Sequence, residues 1–434
     1  MSARPISLLL LLVAACRSAP EPMVLNDDGG WCWFQNERAL ALGDVVVFGS
    51  IAAGRTDPLR RGDVELTCWW PATGAVHHVE LHDRLELDDH DAPALLELAD
   101  GRLLAVYARH GTDGMVRSRR TVRPGELLTW EPERTYLVGE GARPGVTYSN
   151  LHRSAAGGEV FDFFRGPGWD PNLIVSTDSG GSWERVGRVL GGPGRPYLVY
   201  ASDGGGSVHL IATEQHPRDF DNSLYHGFVR EGAVHRSDGT VVGSVGADPA
   251  HPDSLTRIFQ GRPEAVAWPV DLELDARGHP VAVFSVQTDG AGLPRGSGGM
   301  DHRFHYARFD GERWHATRFA HAGRRLYAGE DDYTGLAAID PADPATVYLA
   351  TDADPVTGVP LISRTDGERH RELFRARTAD AGDTWTFTPI TADSTVDNLR
   401  PVVPRGSPHV LLWLRGNLST YTDYALEVVG LRLD

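Results

Sequence analysis

Ser176-Thr177-Asp178-Ser179-Gly180-Gly181-Ser182-Trp183 and, far downstream, Thr378-Ala379-Asp380-Ala381-Gly382-Asp383-Thr384-Trp385 share the pattern Ser/Thr-x-Asp-x-Gly-x-Ser/Thr-Trp. The aspartate of such a turn can accept backbone N–H bonds, and the glycine supplies a positive φ that other residues resist. The tryptophan offers a large apolar body to fill the space between sheets. These roles are structural, so the two segments mark a fold and not a catalytic site.

Outward from these turns the chain reads as short strand-like runs split by turn signals, with almost nothing of helical period. Seven similar units follow one another: Asp44 to Leu81, Ala94 to Leu137, Val146 to Leu190, Tyr197 to Val242, Ala265 to Phe319, Tyr333 to Pro389 and Leu399 to Leu433. Most have the length of a four-stranded sheet. One such sheet cannot bury both faces alone, and radial packing into a closed ring removes that problem. The expected fold is therefore all-β, a seven-bladed β-propeller forming a single domain over residues 26–434. The N-terminal strand and Tyr424 to Leu431 are expected to share a blade and close the ring.

The first residues have a different character. Arg4 precedes the apolar run Ile6 to Val13, which ends in Ala14-Ala15-Cys16. That run is too short to span a bilayer as a helix and has the form of an export signal. Small residues before a cysteine resemble the lipoprotein processing site, giving a lipoprotein-type signal over residues 1–16 with Cys16 lipidated; an ordinary signal peptide is the alternative. The expected location is outside the cytosol, lipid-anchored at the outer membrane or cell surface, or otherwise periplasmic or secreted. The membrane is thus a partner through a lipid anchor only.

Formal net charge is -17, and all 42 basic residues are arginine. The absence of lysine excludes Schiff-base and lysine-base mechanisms. The acidic balance argues against nucleic acid as a partner, because such binding rests on phosphate neutralisation by a basic surface. An anionic ligand remains compatible where arginines converge locally. Beyond Cys16 only Cys32 and Cys68 remain; a disulfide and two buried free thiols are both open, and there is no CxxC pattern.

The two turns resemble the Asp-box of sialidase-type propellers. Trp31-Cys32-Trp33-Phe34-Gln35-Asn36-Glu37-Arg38-Ala39, Tyr148-Ser149-Asn150-Leu151-His152, Arg195-Pro196-Tyr197, Thr213 to Arg218, Asn222 to His226 and Asp332-Tyr333-Thr334-Gly335 look like the BNR-repeat family that includes ulvan lyases. The likeness runs from Trp31 to the C-terminus. It implies a seven-bladed propeller and, for the lyase members, β-elimination at a uronic acid of an acidic polysaccharide. Those enzymes use a histidine or tyrosine base, a proton donor to the leaving oxygen and an arginine that neutralises the uronate. Some hold a structural zinc. The chemistry itself requires no cofactor, and a structural zinc or calcium is compatible with it, although the sequence marks no ligands.

Proton abstraction at C5 of a uronate places new negative charge beside an existing carboxylate, so a cationic or strongly hydrogen-bonding group must meet that carboxylate. Histidine suits the base because its pKa lies near working pH. His110 ends the strand Val106 to Arg109 and is a candidate rim base or a simple turn histidine. In the motif at 148–152, period two places Tyr148, Asn150 and His152 on one strand face, which makes His152 the leading catalytic histidine or else a packing residue. Tyr197 and Tyr200 are three apart and point to opposite faces of a regular strand. Tyr200, beside the next turn, is the expected donor to the leaving oxygen, with packing between blades as the alternative. Arg218 is the expected uronate partner, or a salt bridge to Asp219 or Asp221. Arg143, Arg195, Tyr197, His216, Tyr225 and His226 complete the candidate ligand-binding set. The Arg-Pro pairs at Arg143, Arg195, Arg262 and Arg400 invite comparison with the arginines that sialidases gather around a carboxylate, and equally with a structural role between blades.

Two competing functions remain. A sialidase-like glycoside hydrolase would ordinarily need a pair of carboxyl groups, and no local sequence marks one. A non-catalytic glycan-binding propeller would use the same arginines and aromatics, and fold alone does not separate it from an enzyme.

Overall fold

The computed structural model describes residues 21–139, 145–154, 158–294 and 296–433. Cys16 and the export segment lie outside the described residues. The strands form seven sheets, one for each sequence unit, antiparallel except where Gly406–Ser407 pairs parallel with Ala39–Leu42, arranged as a seven-bladed β-propeller. The first strands of the blades are Ala39–Leu42, Ala94–Glu97, Thr147–Arg153, Leu198–Ser202, Val266–Leu274, Ala337–Ile339 and Asp397–Val402. Most successive first strands, such as Leu198–Ser202 with Val266–Leu274 and Val266–Leu274 with Ala337–Ile339, pack against one another around the axis. Second strands such as Val45–Ile51 and Pro280–Gln287 are buried at every position, covered on both faces by neighbouring blades, which is why they read as continuous apolar runs.

Ring closure follows the expected route. Met23–Asn26 pairs antiparallel with Asp423–Arg432, Met23 opposite Gly430 and Val24 opposite Val429. The seventh blade is thus built from both ends of the chain. The fourth blade is larger than the rest, because Val241–Ser244 and Thr256–Phe259 add two strands to it.

Both Asp-x-Gly turns join a third strand to a fourth. In the first, Asp178 accepts the Ser182 backbone N–H at 2.8 Å and its hydroxyl at 2.8 Å, while Gly180 has φ 80°. In the second, Asp380 accepts the equivalent N–H from Thr384 at 2.8 Å and Gly382 has φ 105°. Trp183 is buried, and Trp385 lies 4.6 Å from the ring of Phe319.

Strand alternation sets which residues share a face. The strands of a blade run up and down, so connections between blades and connections from second to third strand meet at one end of the axis. First-to-second and third-to-fourth hairpins, including both Asp-x-Gly turns, lie at the other end. The segment Trp33 to Arg38 links the ends: Trp33 Nε1 donates to the Thr334 carbonyl, Asn36 Nδ2 donates to the Tyr200 carbonyl at 2.7 Å, and Arg38 Nη1 donates to the Ser149 carbonyl at 2.7 Å. It fills the central channel. Cys32 and Cys68 are both buried free thiols, so no disulfide forms between them, and burial pushes the Cys68 thiol up to about 12.

Closure has one polar anchor that can be tested. Buried Asn26 donates to Ser50 Oγ at 3.3 Å and Glu65 Oε2 at 3.1 Å, and accepts from the Asp28 N–H at 3.0 Å. Asn26→Ala leaves these groups short of a partner, and chemical denaturation should show a loss of about 1–3 kcal/mol. A variant as stable as the parent would mean that the N-terminal strand contributes little to closure.

Candidate functional site

At the end of the axis where inter-blade connections gather, a cleft of about 240 Å³ opens above the channel-filling segment. Its floor is aromatic: Trp33 stacks on Tyr333 at 3.9 Å, and Tyr197 packs on Trp268 at 4.7 Å. Its polar wall begins with the turn Asp88-Asp89-His90-Asp91, which connects the first two blades. Asp88 accepts the His90 backbone N–H at 3.0 Å and caps the short helical turn Asp89–Asp91. The same carboxylate lies 2.7 Å from His90 Nδ1 and 2.8 Å from His110 Nδ1. The two imidazoles stack with centroids 3.7 Å apart, and His90 Nε2 lies 3.0 Å from the Tyr148 hydroxyl.

These contacts divide the protonation states. Burial raises Asp88, but the two histidines outweigh it and hold the carboxyl well below the usual range. Burial, followed by His90, pushes His110 down to about 4. His90 is raised despite burial, by Cys32, Tyr148 and Asp88. Burial also raises the Tyr148 phenol, so that side chain stays protonated.

Tyr148 reaches the cleft through a backbone irregularity. It has φ 60°, and the register between the first two strands of the third blade shifts between Thr147 and Asn150. A bulge of this kind re-aims a side chain. Buried Asp162 holds it, accepting the Asn150 N–H at 3.0 Å and the Ser149 hydroxyl at 3.0 Å, and burial pushes that carboxyl up to about 7.

Arg165 ends the second strand of the same blade. Its guanidinium lies 4.5 Å from the Tyr148 ring centroid and 4.2 Å from that of Tyr197, and the residue is 7% exposed. Nη2 is a buried donor without a hydrogen-bond partner, and among the described residues no carboxylate forms an ion pair with Arg165. Arg195, 5.9 Å from the rings of Trp169 and Tyr197, brings a second cation to the same wall. Arg218 also lines the cleft, with its charge engaged by Glu330 at 3.2 Å.

The sequence candidates therefore divide. His110, Arg195, Tyr197 and Arg218 line the cleft. His216 lies just beneath it, fully buried, with Nε2 2.8 Å from Arg218 Nη2 and 3.4 Å from the Tyr333 hydroxyl. Arg143 lies outside the described residues. His152 and Tyr200 do not join the cleft: they line an opening at the opposite end of the channel. His152 comes just before a first-to-second hairpin, and the bulge at Tyr148 breaks the alternation that would place Tyr148 and His152 on one face. Between Tyr197 and Tyr200 the outcome is the reverse of the expectation, with Tyr200 packed 5.1 Å from Phe163. Arg400 is buried, donating to the Gln35 carbonyl, and Arg262 is paired at the surface with Glu264, so the described Arg-Pro pairs, at Arg195, Arg262 and Arg400, do not converge. Sequence reasoning missed His90 with Asp88, Arg165, Trp169 and Tyr327, and left Tyr148 out of the site. The available signal was position: each lies in or beside an inter-blade or second-to-third connection.

Tyr225 and His226 belong to the body of the fourth blade. The Tyr225 hydroxyl donates to Glu214 at 2.8 Å. His226 Nε2 lies 3.1 Å from His209 Nδ1, and its Nδ1 lies 2.8 Å from Ser237 Oγ.

A closed seven-bladed propeller with a histidine-, tyrosine- and arginine-walled cleft at its axis defines the class of protein. Residues 63–322 match the model of the BNR repeat-containing family, and the chain belongs to that family. Comparison with curated protein sequences finds no match. Among solved structures, a polysaccharide lyase described as a PL25 ulvan lyase, bound to -[GlcA(1-4)Rha3S]-, superposes with a TM-score of 0.65 at 12% identity, covering 94% of this chain and 95% of its own. A second structure of a PL25 ulvan lyase gives 0.65 at 13% identity over 94% and 95%. The polysaccharide lyase Uly1 gives 0.58 at 12% identity over 95% and 98%. These likenesses are of fold.

The buried histidine pair of the fourth blade generates a stability prediction. Burial holds His226 well below its ordinary value and His209 at about 4, with Asp203 raising and Arg230 lowering the latter. Exposed imidazoles titrate near about pH 6.5, so the unfolded chain takes up these protons first and stability falls as pH drops from there towards 4. Thermal melting between pH 7.5 and 4.5 should show this slope, and His226→Gln should flatten it. An unchanged slope would assign the acid sensitivity elsewhere.

Proposed function

We propose that this protein is a polysaccharide lyase that cleaves a uronate-containing, ulvan-like glycan by β-elimination. The observation that carries the reading is Arg165, a buried guanidinium held between two tyrosine rings with a donor unused and no carboxylate of its own. A substrate carboxylate is the complementary group, and a planar two-pronged donor suits it. The fold it shares with ulvan lyase structures supports the same substrate class.

With the uronate on Arg165, neutral His110 takes the C5 proton. Its electron pair forms the C4–C5 double bond, the C4–O bond breaks, and Tyr148 gives its phenolic proton to the leaving oxygen. His90 is a positioning residue: Nδ1 faces Asp88, and the contact of Nε2 with the Tyr148 oxygen orients the phenol towards the leaving group. Arg165 supplies what the transition state most requires, positive charge beside the carbanion's carboxylate. Hydrolysis is less well supported, because the cleft carboxylates are committed, Glu330 to Arg218 and buried Asp89 beside His90.

The resemblance to metal-containing relatives also has a physical counterpart. Cys32, Asp89 and His90 are buried with ligand atoms within 4.8 Å of one another, and Asp89 Oδ1 lies 2.9 Å from His90 Nδ1. Thiolate, carboxylate and imidazole together fit zinc better than calcium, which prefers an all-oxygen shell. Bound there, zinc would fix the turn carrying His90. Elemental analysis of the purified protein should find about one zinc per chain, and Cys32→Ser should lose it; equal zinc in both would rule these ligands out. We also assign the exported, Cys16-anchored location to this function, since the polymer is too large to enter the cell.

The test is ultraviolet absorbance of unsaturated uronate on incubation with ulvan. His110→Ala and Tyr148→Phe should each lower turnover by about 10²–10⁴-fold. Arg165→Lys keeps charge but loses the planar fork, and should lower kcat more than it raises KM. His152→Ala should turn over like the parent. Loss of activity in His152→Ala with activity kept in His110→Ala would overturn the assignment, and new reducing ends without absorbance would indicate hydrolysis.

A further inference from the structure

The cleft does not end at Arg218. A groove of about 440 Å³ shares that arginine and runs outward between the fourth and fifth blades. Its surface differs from the cleft in two ways. Phe220 and Leu293, 44% and 49% exposed, present apolar faces beside Pro217 and Pro294. Phe220 is flanked by exposed Asp219 and Asp221, for which no ion pair occurs among the described residues. Across the groove Asp331 accepts the Gly296 N–H at 2.7 Å and pairs with Arg325. Burial, then Asp331 and Glu330, pushes the neighbouring Asp332 up to about 7, a sign of the local negative field. Arg218, the cation at the junction, has its charge answered by Glu330. The binding surface is therefore asymmetric, cationic over the third blade at Arg165 and Arg195, and acidic with an apolar platform over the fourth and fifth.

We propose that this groove holds the sugar next to the uronate, and that it selects an uncharged, unsulfated ring. Continuity with the cleft places a neighbouring sugar there. Phe220 offers an apolar face to the ring's C–H face, and Asp219 and Asp221 accept hydrogen bonds from its hydroxyls. A sulfate in the same position would meet carboxylates without a free cation and be repelled. The inference rests on the uronate being bound at Arg165, and it narrows the substrate to glycans whose sulfate, if any, lies on the third-blade side.

Native ulvan and chemically desulfated ulvan are the matched probes. Binding is read by titration calorimetry on the slow His110→Ala background, and cleavage by unsaturated product with His110 intact. The desulfated polymer should bind more tightly and show the higher kcat/KM. Phe220→Ala should raise KM for it by about tenfold, the scale of a lost aromatic platform, with kcat little changed. Asp219→Asn with Asp221→Asn should narrow the preference by about 3–10-fold through improved binding of the sulfated polymer, as expected for exposed charges. All three side chains are exposed, so folding is not at stake. Product formation that ignores these substitutions, or an undiminished preference for the sulfated polymer, overturns the groove and leaves the lyase reading intact. The expected binding pattern without unsaturated product keeps the groove and overturns elimination. No binding and no cleavage of either polymer overturns both.

Discussion

The structure depends on how a seven-bladed ring fills its own axis. First strands packed around an axis leave a channel that must be filled or hydrated, and here Trp33 to Arg38 fills it. Four of its bonds reach four different blades: Trp33 to the Thr334 carbonyl beside the sixth blade, Asn36 to Tyr200 in the fourth, Arg38 to Ser149 in the third and Gln35 to the Arg400 side chain in the seventh. Backbone carbonyls facing the axis would otherwise be buried acceptors without donors. The same segment supplies the cleft floor, through Trp33 and Phe34, and the residue just before it, Cys32, is one candidate metal ligand. Closure, channel filling and site construction are thus one event, and a fault in this segment would reach all three.

On that floor the site is organised by charge placement more than by shape. Asp88 is a single buried carboxylate shared by two stacked imidazoles, and the two rings respond in opposite directions because only one can carry the proton comfortably. Tyr148 is drawn to His90 by a backbone bulge that Asp162 stabilises from within the blade. The elements that hold His90, His110 and Tyr148 are therefore strand ends and a short capped turn. Preorganisation of this kind avoids reorganisation when charge develops.

The fold was legible because its signals are local. Two Asp-x-Gly turns, seven repeated units and complementary terminal strands each require only a few consecutive residues, and the ring with its shared seventh blade follows from them. The lining of the cleft was partly legible. His110, Arg195, Tyr197 and Arg218 line it, and charged or aromatic residues at strand ends stand out in sequence. His152 and Tyr200 line the opposite opening, because the positive φ of Tyr148 breaks the alternation along its strand and the end of a first strand faces the other side of the ring. The parity of a strand within its blade decides which opening its end meets, and that rule was available from the unit boundaries. What no local pattern contains is pairing: Arg218 is held by Glu330 and not by the neighbouring Asp219 or Asp221, while Arg165, at the end of an apolar strand, has no local signal that sets it apart.

Arg165 also shows how a fold can keep a buried cation without a counter-ion. Removing a guanidinium from water costs several kcal/mol even after relaxation. Two aromatic faces return part of this, each contributing up to about 2 kcal/mol when desolvated, and Tyr148 and Tyr197 both lie within 4.5 Å of it. A carboxylate from the protein would have offset the rest and would also have silenced the site, as Glu330 does for Arg218. Leaving Nη2 without a partner keeps that remaining electrostatic stabilisation for a ligand. The rings that compensate Arg165 are those of Tyr148 and Tyr197, so an anion arriving at the guanidinium acts directly on the environment of the Tyr148 phenol. On the lyase reading proposed above, carboxylate recognition and proton transfer would be coupled through this one cation.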